Sequence, residues 1–278
     1  MALRVLSTSD VEELVSRQTV VGQGVFGVVS LVPWENGFAI LKVMKTNCPD
    51  QTFQKEKRFL EILQGAGGAP LLLGVCSSPK AIVITFRGHN TLRYVLQHRP
   101  LPDWYLAYIA FLLGFRLQEV HAAGVIHRDI HVYNVLVTVP QDLSMPWVSI
   151  IDYGLATMNY SVLDNMPDGA YRCELTDLCG GLGRTSSPSP DISALGELLN
   201  YIFQKMSVMP ESAKEVVEMA RTDRDTKQAT LDEIVSKLYW ILSEDFKVNI
   251  PSSLTSYGQV DSFTHCASVI YYRVTRCA

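Results

Sequence analysis

Short apolar runs separated by turn residues fill the first third of the chain, a pattern typical of β-strands. Five such runs lie at 19–21, 28–32, 38–44, 71–75 and 81–86. Asn36-Gly37, between the second and third runs, is a strong hairpin signal. Apolar residues recur at helical spacing among the charges of Gln51 to Leu63. This third of the chain is therefore predicted to form a sheet with one helix.

The rest of the chain changes to a mainly helical pattern. Helices are predicted at 91–98, 102–122, 192–206, 211–221 and 231–243. Two apolar runs at 135–139 and 147–151 suggest a small hairpin, and the Gly-, Pro- and Ser-rich stretch 155–190 is predicted to be a long loop. After residue 245 only 268–272 has a strand-like pattern. The predicted fold class is α+β.

Composition narrows the class of protein. The 278 residues are 47% hydrophobic and 19% charged, which argues against intrinsic disorder. A net charge of −4 argues against a nucleic-acid-binding domain whose whole surface is basic, with a local basic patch left open. The longest apolar stretch, 105–115, has about half the ~20 residues of a membrane span. The six cysteines contain no Cys-x-x-Cys pair and no signal peptide is evident, so an intracellular, cytoplasmic or nuclear, location is expected. A zinc site at Cys173 and Cys179 is possible, although their spacing is not a recognised ligand pattern.

The segment Gly22 to Val29 has the pattern G-x-G-x-x-G followed by two valines. Glycines at these positions let backbone amides approach phosphate oxygens closely. A dinucleotide site requires a helix after the glycines, whereas a strand follows them here. The loop is therefore predicted to join two antiparallel strands, as in a kinase glycine loop.

Lys42 and Glu56 form a candidate pair for binding nucleotide phosphates. Lys42 lies among apolar residues in mid-strand, where an edge position with its stem reaching to water is the ordinary alternative. Glu56 lies on the next helix and alone would be a solvated charge. Together they can hold an ammonium group against phosphates.

The strongest chemical signal is the segment His127 to Asn134, with the sequence HRDIHVYN. A carboxylate beside an attacking hydroxyl and an amide oxygen for a metal are supplied by Asp129 and Asn134. Asp152-Tyr153-Gly154 follows an apolar strand and is well placed to add a Mg²⁺ ligand.

With these motifs in this order, residues 15–243 resemble the eukaryotic protein kinase family. The resemblance implies a two-lobed α+β fold, with an N-lobe at 15–86 and a C-lobe at 87–243 between an N-terminal segment, 1–14, and a tail, 244–278. It also implies ATP and Mg²⁺ as cofactors and a protein substrate phosphorylated on Ser or Thr. Neither nucleic acid nor a membrane is expected as a partner.

The family pattern assigns roles residue by residue. Its catalytic set corresponds to Asp129, Lys42, Glu56 and His131, and its metal ligands to Asn134 and Asp152. Its nucleotide-binding set corresponds to Gly22, Gly24, Phe26, Gly27, Val29, Lys42, Ile84, Thr85, Phe86, Arg87 and Leu136. By the same resemblance, Asp191 braces the catalytic loop, and Arg128 pairs with a phosphorylated or acidic residue of the loop 155–190.

The chain departs from the family pattern at several positions. His131 replaces the usual lysine, Tyr153 the usual phenylalanine, and Ile40 the usual alanine over adenine. No Ala-Pro-Glu occurs, and the nearest counterparts of its glutamate and arginine partner are Glu174 and Lys227. These departures keep open a pseudokinase that only binds partners. A kinase of small molecules is a third alternative.

Overall fold

The computed structural model describes residues 3–24, 26–159, 187–221 and 228–250. Within these ranges the chain is an α+β protein of two lobes, as the sequence predicts. Cys173, Cys179, Glu174, Lys227, most of the predicted loop 155–190 and the strand at 268–272 lie outside the described residues. The boundary between the lobes after residue 86 stays a prediction.

The N-terminal lobe is built on one six-stranded sheet. Its elements are β1 (Arg4–Val5), α1 (Thr8–Ser16), β2 (Thr19–Gln23), β3 (Gly27–Trp34), β4 (Gly37–Met44), α2 (Asp50–Leu63), a 3₁₀ turn (Ala66–Gly68), β5 (Leu72–Ser77) and β6 (Lys80–Thr85). The strand order is β1-β5-β6-β4-β3-β2, antiparallel except for the parallel pair β1–β5. The five predicted strands and the predicted helix are all present.

Two features of this lobe differ from the sequence prediction. Trp34 pairs with Gly37, so the hairpin turn is Glu35-Asn36, one residue earlier than Asn36-Gly37. Glu35 takes the positive φ of 50° that such a tight turn requires. The first residues, for which no structure was predicted, form β1 and α1, and α1 buries Val11 in a small core on one face of the sheet.

The C-terminal lobe is mainly helical. It contains α3 (Leu92–His98), α4 (Asp103–Ala122), β7 (Val125–Ile126), β8 (Val135–Thr138), β9 (Trp147–Ile150), β10 (Thr157–Met158), α5 (Ser189–Phe203), α6 (Glu211–Ala220), α7 (Leu231–Trp240) and a π-helical turn (Ile241–Asp245). The helix α4 is buried on nearly every side, which agrees with its almost unbroken apolar sequence. None of the described helices has the length and apolar character needed to cross a membrane.

The sheet and the helical lobe meet through α2 and β6. Phe53, Phe59 and Leu60 of α2 join Ile82 of β6 in the same continuous core as α4. The catalytic-loop sequence leaves β7 and leads into the β8–β9 hairpin. This topology places the strand lysine, the helix glutamate and the predicted catalytic loop along the boundary between the lobes.

Candidate active site

Lys42 and Glu56 form a direct ion pair between β4 and α2. The ammonium Nζ of Lys42 lies 2.6 Å from both carboxylate oxygens of Glu56. The side chains are only 13% and 5% exposed, so the pair is shielded from solvent. Lys42 Nζ also lies 3.4 Å from Oδ1 of Asp152 in the other lobe. The predicted pair is therefore formed, and Lys42 links the two lobes.

Burial and charge act against each other at this pair. Burial alone would lower the pKa of Lys42, but the carboxylates of Glu56 and Asp152 outweigh it and raise that pKa. Burial raises the pKa of Glu56, with Asp152 adding to the rise and the Lys42 ammonium opposing it. Lys42 therefore stays cationic, as a group that binds phosphate must.

Asp129 is held by Asn134 within the catalytic loop. Asn134 donates from Nδ2 to the backbone carbonyl oxygen of Asp129 and to its Oδ2, both at 3.0 Å. The Asn134 carbonyl oxygen accepts from the N–H of Ile151 at 2.9 Å, which ties the loop to the residue before Asp152. The two residues predicted as base and metal ligand are thus brought into contact.

The fit of Asn134 and Asp152 to a metal can be judged from their donor atoms. Because Nδ2 of Asn134 faces Asp129, the side-chain oxygen Oδ1 is the atom left for a cation. Asp152 is half-exposed and follows β9 with a positive φ of 66°. An amide oxygen and a carboxylate are hard ligands of the kind that Mg²⁺ prefers. The residues present therefore fit the predicted metal.

His127 is buried and fixes the start of the loop. Its Nε2 lies 3.0 Å from the carbonyl oxygen of Ile151, and its Nδ1 accepts from the N–H of Asp129 at 3.2 Å. Since Nδ1 accepts, the proton of the neutral ring belongs on Nε2, where it donates to Ile151. Burial lowers the pKa of His127, and nearby hydrogen bonding and carboxylates only partly oppose this. The ring is thus held neutral as a structural element.

Asp191, near the start of α5, holds the backbone of the same loop by hydrogen bonds, as the resemblance implies. Its carboxylate accepts from the N–H groups of His127 and Arg128, both at 2.7 Å. Arg128 has a positive φ of 67°, a strained conformation for a non-glycine residue that these bonds help to hold. Burial would raise the pKa of Asp191, but its hydrogen bonds and His121 lower it overall.

His121 is a supporting residue that the sequence analysis missed. Its Nε2 lies 2.9 Å from Oδ2 of Asp191, at the end of α4. The two residues are 70 positions apart, so their contact leaves no local trace in the sequence. A histidine in the last turn of a helix is also common, because a cation there interacts favourably with the helix dipole. No local pattern could have distinguished the two roles.

Tyr153, the replacement for the usual phenylalanine, is fully buried beside His127. The two rings meet edge to face with centroids 4.8 Å apart, and the Tyr153 hydroxyl donates to the carbonyl oxygen of Ile150 at 3.3 Å. Burial raises the pKa of this hydroxyl, so it stays protonated. The substitution is therefore accommodated by packing and one hydrogen bond.

The glycine loop joins β2 and β3, as predicted. Gly24 donates from its N–H to the carbonyl oxygen of Gly27 at 2.9 Å, and Lys45 Nζ donates to the carbonyl oxygen of Gly24 at 2.9 Å. A Cβ at Gly27 would lie 2.6 Å from the carbonyl oxygen of Val43, so only glycine fits there. A Cβ at Gly24 would meet nothing within 4 Å. Val25 lies outside the described residues.

The remaining predicted nucleotide contacts lie on neighbouring strands. Val29 pairs with Lys42, and Ile84 pairs with Ile40, the residue predicted to crowd adenine. Leu136 lies on β8 opposite Ser149. Phe26, at the loop, is exposed.

Two of the predicted hinge residues already use polar groups in hydrogen bonds to other parts of the protein. The N–H of Thr85 donates to the carbonyl oxygen of Leu71 at 2.9 Å, so the carbonyl is the backbone group of Thr85 that remains for adenine. The guanidinium of Arg87 donates to the carbonyl oxygen of Ala69 at 2.8 Å. Phe86 packs edge to face on His89 at 4.6 Å. Adenine binding by this segment stays a prediction.

His131 lies next to the predicted base. Its Nε2 is 3.5 Å from Oδ2 of Asp129, and its Nδ1 accepts from the N–H of Tyr133 at 3.2 Å. One ring nitrogen therefore serves the loop backbone while the other faces the carboxylate. Both a charge-stabilising role and a purely structural role fit this geometry.

A cleft of about 300 Å³ opens between α2 and the catalytic loop. Its lining consists of Gln51, Thr52, Lys55, Arg128, Gly154 and Leu155. Lys55 and Arg128 give it two cationic side chains, which suits the anionic partner predicted for Arg128. Phosphorylation is predicted within 157–176 of the loop, at Thr157, Tyr160, Ser161, Tyr171 or Thr176. Thr157 is buried in β10 and is not accessible in this conformation, and the other four lie outside the described residues.

Comparison with known proteins gives an independent view of the same region. The family model for protein tyrosine and serine/threonine kinases matches residues 15–171, more than half of the chain. The mitogen-activated protein kinases HOG1 of Eremothecium gossypii and Saccharomyces cerevisiae are 33% and 32% identical over 143 residues, which is 49% of this chain. HOG1A of Wallemia ichthyophaga is 32% identical over 145 residues. The matches cover 31%, 32% and 38% of these relatives, about a third of their length.

Proposed function

Since the chain belongs to the protein tyrosine and serine/threonine kinase family, we propose that it transfers the γ-phosphoryl group of ATP to serine or threonine hydroxyls of protein substrates. The observation that carries the proposal is the position of Lys42. Its ammonium contacts Glu56 at 2.6 Å and Asp152 at 3.4 Å, so phosphate-binding and metal-binding groups from both lobes converge. A protein that only used the fold as a scaffold would not need this convergence.

Each polar residue has a distinct task in this proposal. Lys42, oriented by Glu56, binds the α- and β-phosphates, and the glycine loop covers them with backbone N–H groups. Asn134 and Asp152 would hold Mg²⁺, which would neutralise charge on the phosphates. Asp129 orients the substrate hydroxyl and accepts its proton as the oxygen attacks the γ-phosphorus.

The preference for serine and threonine over tyrosine is supported by the relatives, whose names describe mitogen-activated protein kinases. An intracellular place of action is supported by the need for ATP and by the free thiols of Cys48 and Cys76, both buried in the described structure. The substrate proteins are not specified by these observations.

The test is to incubate the purified chain with Mg-ATP and a degenerate peptide library, with phosphorylated positions mapped by mass spectrometry. We expect phosphoserine and phosphothreonine in the library, and none when Asp129→Asn replaces the wild type. Mg-ATP binding without phosphate transfer would instead support a pseudokinase. Phosphotyrosine alone would overturn the serine/threonine preference.

A further inference from the structure

A surface beside Asp129 combines an exposed ring with an arginine. Tyr133 lies in the catalytic loop with its side chain 54% exposed. The guanidinium of Arg93, on α3, lies over its ring at 5.5 Å from the centroid. The N–H of Arg93 also donates to the carbonyl oxygen of Val132 at 3.2 Å, so α3 is fastened to the loop at this point. We call these two side chains the Arg93–Tyr133 surface.

The surface is directly connected to the candidate base. His131 Nε2 lies 3.5 Å from Asp129 Oδ2, and the rings of His131 and Tyr133 are 6.0 Å apart. An extended peptide advances about 3.3 Å per residue. Since the chain of contacts Asp129–His131–Tyr133–Arg93 has steps of 3.5, 6.0 and 5.5 Å, a side chain a few residues from a hydroxyl at Asp129 is in range of Arg93.

Arg93 has donors to spare for such a residue. A guanidinium carries five N–H donors, and stacking on a ring uses none of them. Within the part of the chain that the structure describes, no carboxylate lies within 4 Å of Arg93. Its ordinary partner in a protein would be an acidic side chain, and a two-point hydrogen bond to a carboxylate is the strongest that it makes.

The chain segments that carry this surface are basic and contain few acidic residues. No Asp or Glu occurs between Glu61 and Asp103, a stretch that contains Arg87, Arg93 and Arg99. In the catalytic loop, residues 127–134, the only carboxylate is Asp129 itself. Among these residues a basic substrate side chain would find only Asp129 as a counter-charge, whereas an acidic one would find the guanidinium of Arg93.

We propose that the Arg93–Tyr133 surface determines substrate specificity by binding an acidic side chain of the protein substrate a few residues from the hydroxyl that is phosphorylated. This inference rests on the proposed function for the position of the hydroxyl. Tyr133 supplies the platform that orients the guanidinium, and Arg93 supplies the contact with the anion. A carboxylate and a phosphoserine share the required chemistry.

Peptide binding tests the surface independently of catalysis. Fluorescent peptides with alanine in place of the acceptor serine would carry Glu, phosphoserine, Ala or Lys at each of the four flanking positions on either side. Anisotropy titrations with the ATP-bound protein measure affinity, and the matching serine peptides measure kcat/KM. We expect at least one position at which Glu is preferred over Lys by about tenfold.

Matched charge reversals identify the residue responsible. Arg93→Glu should reverse the Glu-over-Lys preference at that position, and Arg93→Gln should abolish it, with ATP affinity unchanged. Lys205→Glu makes the same change of charge at another cation–ring pair, with Tyr201, and should leave the preference intact. Tyr133→Phe should retain the preference and Tyr133→Ala should weaken it.

The outcomes separate this inference from the proposed function. The inference is overturned if the wild type binds Glu and Lys peptides equally, or if Arg93→Glu keeps the wild-type preference. Stronger binding of phosphoserine than of Glu at the same position would identify the anion as a phosphate. Selective peptide binding without phosphate transfer would refute kinase activity and leave the surface established.

Discussion

The two halves of the candidate active site are held in different ways. In the C-terminal half, Asp129 lies between Asn134, His127 and the Asp191 brace, and most of these supporting groups are buried. In the N-terminal half, the glycine loop is fastened by single hydrogen bonds, and Phe26 at its tip is exposed. The candidate base is therefore fixed by several contacts, whereas the glycine loop, which is predicted to cover phosphates, is held by fewer.

The difference predicts which measurements respond to mutation. A change in the C-terminal half should affect turnover or folding, because its groups are already in place and the proposed ATP contacts lie mainly in the other half. A change in the N-terminal half should affect ATP affinity more directly.

Asp129→Asn should give the largest effect. Asparagine keeps the shape of the side chain but cannot accept the hydroxyl proton, so kcat should fall by about 10²–10⁴-fold. The melting temperature and the affinity for Mg-ATP should remain close to wild type. A variant with normal kcat would show that another group is the base.

The Lys42–Glu56 pair should contribute to both ATP affinity and stability. Lys42→Met should weaken ATP binding and leave Glu56 buried without its partner, at a cost of about 3–5 kcal/mol in the free energy of unfolding. The double variant Lys42→Met/Glu56→Leu replaces both charges with apolar groups and should recover stability without recovering ATP affinity. Denaturant titrations and ATP binding of the two variants separate these effects. Equal stability of the single and double variants would contradict a buried pair.

Gly27 and Gly24 provide a matched comparison within the glycine loop. Gly27→Ala places a Cβ 2.6 Å from the carbonyl oxygen of Val43, so β3 and β4 must move apart. We expect a loss of about 1–3 kcal/mol in the free energy of unfolding, together with weaker ATP binding. Gly24→Ala has open space and should leave stability near wild type. If both variants lose the same free energy of unfolding, the close approach of Gly27 to Val43 is not the cause of the loss.

The sequence predicted the elements of the fold well because apolar period and turn residues are local signals. The five strands and the helix of the N-terminal lobe are present, as is the buried helix α4. The strand β1 was missed because Arg4–Val5 is only two residues long and is fixed by its distant partner β5. Strands that short carry no detectable period. The helix α1 has a local signal that was overlooked, a capping box of Ser7 and Asp10.

The sequence was sufficient to predict the candidate catalytic residues but not the residues that hold them in place. Motif spacing identified Lys42, Asp129 and Asp152, which the fold brings to the lobe boundary. It could not reveal that His121 would lie 2.9 Å from Asp191, because that contact depends on how α4 packs against α5. The turn at Glu35 was placed one residue late for a related reason, since register is set by the pairing of whole strands.

His127 should make the stability of the catalytic half depend on pH. Burial lowers its pKa below the ordinary 6.5, so the folded chain holds it neutral while the unfolded chain binds a proton as pH falls through 6.5. The contribution of the neutral ring to the free energy of unfolding is complete above about pH 6.5. It is lost on acidification, by up to about 1.4 kcal/mol per pH unit, until the folded-state pKa is reached.

This pH dependence can be assigned by comparing variants. Denaturant unfolding at pH 7.5 and 5.5 should show a smaller loss on acidification for His127→Gln than for the wild type. His98→Gln removes an exposed histidine of α3 and should retain the wild-type loss. The titration of Asp191 does not affect this comparison. Its pKa is lowered, so its contribution to the free energy of unfolding is lost only below about pH 4. Equal losses in the wild type and His127→Gln would contradict a neutral buried ring.

His131 should give the smallest effect, and three substitutions separate its two possible tasks. His131→Asn retains an acceptor for the Tyr133 N–H but removes the Nε2 that faces Asp129, whereas His131→Ala removes both. If the ring only fastens the loop, Asn should match wild type and Ala should lower kcat a few-fold. If Nε2 stabilises charge on the transferred group, Asn and Ala should both lower kcat by about tenfold, and His131→Lys should restore it with ATP affinity unchanged. We expect the second pattern, because Nε2 lies 3.5 Å from the carboxylate beside which the phosphoryl group is transferred. Wild-type kcat in all three variants would remove His131 from the mechanism and leave Lys42 as the principal protein cation at the site.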